Sequence, residues 1–113
     1  MSPELDELLC VRYPLIFADR NRPDSSMGRG FECGDGWFDI IDVLCESMQY
    51  LIDGDSAPQV VAMQVKEKLG TLRFRVKGAS PEIRGMIRMA ESISGRICEL
   101  CGKSGSRHEC DQP

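Results

Sequence analysis

The sequence contains a single histidine, His108, and no serine or cysteine within a recognisable nucleophile motif. Acid–base and nucleophilic catalysis need such groups at defined spacings, so the sequence gives little support to an enzyme. A phosphate-binding loop before a helix is also disfavoured at Gly34 and Gly36, because Glu32 and Asp35 would repel the phosphate. We therefore expect a non-enzymatic protein.

Long apolar runs are missing as well, and the N-terminal stretch MSPELDELL is acidic where a secretion signal would be basic and then apolar. The net charge of −4 argues against bulk electrostatic binding to nucleic acid or to anionic membranes. Nothing signals secretion, so we expect a cytoplasmic protein whose six cysteines are reduced thiols. With 113 residues and 42% hydrophobic content, the chain predicts one domain over residues 1–113.

Lysine and arginine are missing between residues 32 and 55, a stretch that contains seven acidic residues. This stretch predicts the central helix of the protein, from about Gly36 to about Asp53. Asp35 is placed to accept hydrogen bonds from the first turn, and Gly54 to end the helix at a position that tolerates positive φ. Apolar residues recur at spacings of three and four along one face: Trp37, Phe38, Ile41, Leu44, Cys45, Met48, Leu51 and Ile52.

The opposite side of this helix carries four acids at the same spacing, which we call the acidic stripe: Asp35, Asp39, Asp42 and Glu46. A solvated helix face is the commoner explanation of such a stripe, because surface helices usually carry charge. The alternative is a contact surface for a partner protein with a basic surface.

Local signals indicate three further elements. A short helix over Pro3–Arg12 has Ser2 as its N-cap and ends before Pro14. A second long helix follows Ser80 as its N-cap and runs to about Arg96. Between the two long helices, a β-hairpin has an apolar face formed by Val61, Met63, Val65, Leu72, Phe74 and Val76. The sequence thus predicts an α+β fold with two main helices, a β-hairpin and a C-terminal zinc knuckle.

The other face of the hairpin carries the concentrated positive charge of the chain, which we call the basic hairpin face: Lys66, Lys68, Arg73, Arg75 and Lys77. Five cations on adjacent strands can follow a phosphate backbone, which makes nucleic acid a possible partner. A solvated strand face, or a complement to the acidic helix, is the commoner explanation.

The C-terminal stretch CELCGKSGSRHEC, residues 98–110, predicts the zinc knuckle. Its first two cysteines have the separation that lets both thiolates reach one tetrahedral ion, and Gly102 follows where the turn needs a small residue. The predicted ligands are Cys98, Cys101, His108 and Cys110. Cys33 is an alternative fourth ligand. Four protein ligands leave no position for water, so the Zn²⁺ ion would be structural. An unliganded tail and a Cys98–Cys101 redox pair are the alternatives to zinc.

Three stretches of the chain form motifs: FECGDGWFDIIDVLC, QVKEKLGTLRF and MAESISGRICELCG. In this order, and over roughly residues 13–102, they resemble a set of small, mostly uncharacterised proteins of bacteriophages and prophages. The resemblance implies a closed zinc site completed by a tryptophan-containing loop and a second Cys/His pair. The chain departs from that pattern after Gly102, where it offers only His108 and Cys110.

Small acidic accessory proteins of phages often bind and block a host protein, including nucleic-acid-binding defence complexes such as CRISPR effectors. By this analogy, the resemblance implies a host-protein inhibitor or modulator in the bacterial cytoplasm. The acidic stripe is the leading contact surface, because regularly spaced negative charge can compete with nucleic acid for a basic groove. The alternative function is a small zinc-dependent nucleic-acid-binding regulator that uses the basic hairpin face.

Overall fold

A computed structural model describes residues 1–105 of the chain, and over this range the fold is α+β. Three helices and a three-stranded sheet follow one another within it: α1 (Pro3–Arg12), β1 (Phe31–Glu32), α2 (Phe38–Asp53), β2 (Val61–Lys68), β3 (Thr71–Lys77) and α3 (Pro81–Ser94). The prediction of two main helices and a hairpin is confirmed. His108 and Cys110 lie outside the described residues, and so does the end of the predicted zinc knuckle.

Helix α1 has the bounds that its sequence signals predict. The Ser2 hydroxyl accepts a hydrogen bond from the Leu5 N–H at 3.3 Å, and Pro3 occupies the first helical position, where its missing N–H costs nothing. The helix ends at Arg12, and Tyr13 before Pro14 has left the helical region.

Helix α2 begins at Phe38, later than predicted, and Asp35 does not cap it. Residues 35–37 form a 3₁₀ turn instead, because the Asp35 carboxylate accepts from the Ser2 N–H at 2.7 Å while the Gly36 N–H donates to the Glu99 carbonyl at 2.7 Å. The helix ends at Asp53 as predicted. Gly54 has a φ of −86°, so it does not adopt the left-handed conformation expected at this end. Asp55, the next residue, adopts it instead with a φ of +59°.

Strand β1 is a third strand that the sequence did not predict. It runs parallel to β2, with Phe31 opposite Val65 and Glu32 opposite Lys66, and gives the strand order β1-β2-β3. Two residues are too few to show the alternation by which a strand is recognised. The Phe17 ring packs edge-on against Phe31, with ring centres 4.9 Å apart, and so helps to hold this strand on the sheet.

The hairpin has the predicted antiparallel pairing, but its first strand contains a β-bulge between Ala62 and Gln64. A bulge inserts one extra residue and shifts the alternation of side chains beyond it. Ala62 is therefore buried and Met63 is 41% exposed, so the prediction that Met63 faces the core was wrong. After the bulge, Val65 is buried as predicted.

The free edge of β3 is covered by side chains of α3. The Leu72 N–H donates to the Ser94 hydroxyl at 2.8 Å, and the Phe74 N–H donates to the Glu91 carboxylate at 2.9 Å. These bonds satisfy backbone donors that would otherwise face an open edge, and they fix α3 against the sheet. The core between these elements includes Trp37, Ile41, Met48, Leu72 and Ile83, all almost fully buried. Within residues 1–105, no helix has the length and apolar character that crossing a membrane requires.

Candidate functional site

The acidic stripe divides into two carboxylates that accept hydrogen bonds from the N-terminal segment and two exposed carboxylates without an ion pair in the described chain. Asp35 accepts from the Ser2 N–H, and Asp42 accepts from side chains of the N-terminal segment. Asp39 and Glu46 are exposed and form no ion pair within residues 1–105. The two exposed acids are therefore the members of the stripe most available to a partner.

Asp42 fastens the N-terminal segment to α2. The Arg12 guanidinium donates to Asp42 Oδ2 at 2.9 Å, and the Tyr13 hydroxyl donates to Asp42 Oδ1 at 2.6 Å. Burial, followed by this hydrogen bond, raises the pKa of Tyr13 above its ordinary value. Arg12 also lies over the ring of Phe38, with its guanidinium carbon 5.8 Å from the ring centre. A partner that recruited Asp42 would have to break these contacts.

An apolar groove lies beside the exposed acids, between α2 and α3. Its apolar lining includes Ile40, Val43, Leu44, Met86, Met89 and Ile93. Three of these are well exposed, namely Val43 (60%), Met89 (66%) and Ile93 (44%). Tyr50, which is 79% exposed, lies two turns after Val43 on the same side of α2. We call the groove, together with Asp39, Glu46 and Tyr50, the α2–α3 surface.

The sequence patterns did not reveal this groove. Ile93 continues the helical spacing of apolar residues in α3, yet the structure leaves it 44% exposed. The buried arc of α3 is formed by Ile83, Ile87, Ala90 and Ser94. One signal in the sequence could have indicated the groove, namely the width of the apolar pattern on α3. Met86, Met89 and Ile93 lie to one side of the buried arc and extend the apolar face beyond it. An apolar stripe wider than one packing partner needs often marks a second contact.

The register of the hairpin places the five cations of the basic hairpin face on one side of the two strands, turned away from the core. Lys66 lies opposite Arg73, Arg75 lies opposite Gln64, and the neighbouring Leu72 and Phe74 are buried. Lys68, Arg73, Arg75 and Lys77 are exposed, while Lys66 is half-buried. Like charges directly opposite each other on two strands repel, so this arrangement carries a cost to stability.

One end of this face is neutralised by the loop that precedes β1. The Lys77 ammonium lies 3.6 Å from the Asp19 carboxylate, which also pairs with Arg22 at 3.5 Å. Asp24 borders the same cleft, together with Arg75. Positive charge is therefore strongest toward the hairpin turn, at Lys68 and Arg73, since Glu32 lies opposite Lys66 on β1.

The CGDGW stretch is a packing site for the segment that follows α3. The Gly34 N–H donates to the Glu99 carboxylate at 3.0 Å, and the Trp37 indole N–H donates to the Ile97 carbonyl at 2.9 Å. A β-carbon at Gly34 or Gly36 would collide with the backbone carbonyls of residues 98–99. The glycines are therefore required for close backbone approach, and the tryptophan anchors the segment.

The first half of the predicted zinc knuckle forms a tight turn. The Gly102 N–H donates to the Cys98 carbonyl at 2.8 Å, and Gly102 adopts a φ of +78°, which glycine tolerates. Cys98 is buried and Cys101 is exposed. Burial raises the pKa of the Cys33 thiol to about 12. Over residues 1–105, no three His, Cys, Asp or Glu side chains converge as a metal-binding group, and the predicted ligands His108 and Cys110 lie beyond this range.

No protein family, curated protein or solved structure matches this chain. The function therefore has to be inferred from its own residues. The α2–α3 surface combines exposed apolar area with carboxylates that have no ion pair within residues 1–105, a composition suited to binding another protein. The basic hairpin face is suited to an anion, and the turn at Cys98 and Cys101 to a metal ion.

Proposed function

We propose that the protein is a non-enzymatic accessory protein that binds a host protein with a basic surface and thereby inhibits or modulates it. The observation that carries this proposal is the position of Asp39 and Glu46, exposed and without ion pairs in the described chain, beside the exposed apolar Val43. The carboxylates would attract and orient a basic partner, and the apolar side chains would contribute buried area once contact is made.

A nucleic-acid-binding defence complex of the bacterial cytoplasm, such as a CRISPR effector, is the class of partner we favour. Such a complex exposes a basic groove, and a helix with regularly spaced acids can occupy that groove in place of nucleic acid. The resemblance to small phage and prophage proteins that we propose from the three sequence motifs implies the same class. Inhibition would then follow from occupancy and would require no chemistry in this chain.

The proposal is tested by capturing partners of the tagged protein from nuclease-treated bacterial lysate and quantifying them by mass spectrometry. The double variant Asp39→Lys and Glu46→Lys should lose the protein that the wild type captures, because two attractive charges become repulsive. Both side chains are exposed, so circular dichroism and melting temperature should be unchanged.

The matched control is the double variant Glu4→Lys and Glu7→Lys, which changes net charge by the same amount at exposed positions outside the α2–α3 surface. This control should retain the captured protein. Equal loss in both double variants would mean that net charge alone governs capture, and retention by the first variant would discard the α2–α3 surface.

A nucleic-acid-binding regulator is the second candidate function, and the cross-strand pair of Lys66 and Arg73 favours it. Lys66 and Arg73 are like charges opposite each other, Glu32 on β1 offsets part of this charge, and a bound phosphate would offset the rest. Binding of labelled DNA or RNA should then weaken steeply with salt. Replacing Lys66, Lys68 and Arg73 by glutamine should abolish the binding and flatten the salt dependence. Salt-independent or absent binding would exclude this function.

We further propose that Cys98 and Cys101 hold a structural Zn²⁺ ion together with His108 and Cys110. The tight Cys98–Gly102 turn supports this proposal, because a zinc knuckle needs the positive φ that Gly102 adopts. Its job would be to fix the segment after α3 against residues 34–37.

Cys101→Ser tests whether the turn binds zinc. Cys101 is exposed, so its replacement creates no cavity, and a loss of stability would report the lost metal ligand. The variant should contain less zinc by plasma mass spectrometry and should melt at a lower temperature, and a chelator should no longer destabilise it. Lys103→Ser, at an exposed neighbour in the same turn, should match the wild type. Equal zinc content and melting temperature in Cys101→Ser would contradict the metal role.

A further inference from the structure

The groove between α2 and α3 has a volume of about 390 Å³ and an almost wholly apolar lining. Its walls are Ile40, Val43 and Leu44 from α2 and Met86, Met89 and Ile93 from α3. Two methionines on one wall give the groove side chains that adapt to different apolar shapes. On α2 the lining extends from Asp39 to Ser47, a length of about 12 Å or roughly two helical turns.

The α2 edge of the groove is acidic, and one exposed acid, Glu82, lies at the start of the α3 edge. Asp39 is part of the lining, and Glu46 lies two turns further along α2 on the same side. On α3, the exposed Glu82 precedes Met89 by two turns and therefore shares its edge of the helix. None of the residues that line the groove in the described chain is basic.

We propose that this groove binds one amphipathic helix of a partner protein, with apolar residues on one side and lysine or arginine along its flanks. The inference rests on the proposed protein-binding function and specifies the structural class of what is bound. A helix of three to four turns would place apolar side chains at positions i, i+3, i+4 and i+7 into the groove. Its flanking cations would lie against Asp39, Glu46 and Glu82.

The acids at these edges discriminate against other occupants. A second copy of the chain docked through the same surface would bring an identical set of acids against Asp39, Glu46 and Glu82, and like charges across an interface are costly. Anionic lipid headgroups and nucleic acid would meet the same repulsion. A basic amphipathic helix satisfies both the apolar lining and the charge.

The probe is a synthetic peptide of about four turns, with leucine at the i, i+3, i+4 and i+7 positions and lysine elsewhere. Its binding to the full chain is measured by fluorescence anisotropy, beside a scrambled peptide of the same composition and a peptide with glutamate in place of lysine. The amphipathic basic peptide should bind, and each of the other two should bind at least about tenfold more weakly. Equal affinity for the scrambled peptide would overturn the inference, because attraction would then be purely electrostatic.

Variants of the groove assign the binding to it. Met89→Lys places a charge in the apolar wall and should weaken peptide binding by about tenfold or more. The matched control is Met63→Lys, at an exposed methionine on the sheet, which should bind as the wild type does. Unchanged binding in Met89→Lys, with the fold intact by circular dichroism, would overturn the inference.

Failure of the inference is separable from failure of the proposed function. If Asp39→Lys and Glu46→Lys abolish capture of a host protein while Met89→Lys leaves capture and peptide binding unchanged, the partner uses the acids without inserting a helix. Sedimentation over a range of concentrations tests the second-copy occupant. A dimer that Met89→Lys dissociates would replace the partner helix with self-association, whereas a monomer is the expected result.

Discussion

Leu69 is held in a conformation that leucine disfavours. It occupies the hairpin turn with a φ of +54°, followed by Gly70 at +85°, and its side chain is 86% exposed. Two successive residues with positive φ define the turn type in which Asn-Gly is preferred. The leucine thus has no packing to offset its backbone strain.

Leu69→Asn should raise the free energy of unfolding by about 1 kcal/mol, since asparagine tolerates the left-handed region. The midpoint of urea unfolding measures this gain. Leu15→Asn is the control, because Leu15 is also an exposed leucine in a turn but has no positive φ. A gain of the same size in the control would show that reduced surface hydrophobicity, and not the turn, is responsible.

Alkaline pH should destabilise the fold through groups whose protons are retained in the folded state. Burial, assisted by Asp6, raises the pKa of Cys10 to about 11, and burial beside Asp42 raises the pKa of Tyr13. An unfolded chain releases these protons at lower pH, so the stabilisation is complete below about pH 8.5 and is lost as pH rises toward the folded-state values.

Urea unfolding of the reduced protein between about pH 8 and 10.5 checks this expectation. The free energy of unfolding should fall over the range, and Cys10→Ala should make the fall shallower. Stability that increased with pH, or an identical slope in the variant, would contradict the assignment.

Single residues also mark the limit of what spacing predicts. Helical spacing correctly grouped Asp39 and Glu46 on one exposed side of α2. It could not predict that Asp35 would accept from Ser2 or that Asp42 would bind Arg12, because both donors come from a segment distant in sequence. The pattern of a helix defines its faces but not which neighbours arrive on them.

At the level of elements, α3 has two tasks, since it fills the core and also covers the edge of β3. Ser94 is fully buried and accepts from the Leu72 N–H, while its own hydroxyl donates to the Glu91 carbonyl. Each partner of Ser94 would lose its bond if the hydroxyl were removed.

Ser94→Ala should lower the free energy of unfolding by about 1–3 kcal/mol, because the buried Leu72 N–H would be left without an acceptor. Chemical denaturation measures the change. Ser92→Ala, at an exposed position of the same helix, should be neutral or slightly stabilising, since alanine is the better helix former. Similar losses in both variants would refute the edge-covering role of Ser94.

The elements were predictable to different extents for physical reasons. Helix α1 carries a strong local signal in its Ser-Pro start, and the hairpin is indicated by Gly70 and by the alternation of β3. The bulge at Met63 and the short β1 strand depend on pairing across the sheet, which no local pattern contains. The groove depends on how much of the apolar face of α3 the remaining fold covers.

Two surfaces of the described chain carry opposite charge. The α2–α3 surface presents acids around an apolar groove, whereas the hairpin presents cations on the side turned away from the core. Between them, residues 34–37 tie the N-terminal segment and the segment after α3 to the start of α2. We propose that the α2–α3 surface is the one that binds a partner protein.

Methyl NMR of methionine-labelled protein tests that claim directly. Met86 and Met89 line the groove, Met63 lies beside Arg75 and Lys77, and Met27 and Met48 are fully buried. On titration with the protein captured from nuclease-treated lysate, the Met86 and Met89 signals should shift while Met63 stays unchanged. Shifts at Met63 with Met86 and Met89 unmoved would contradict the account and assign binding to the basic hairpin face.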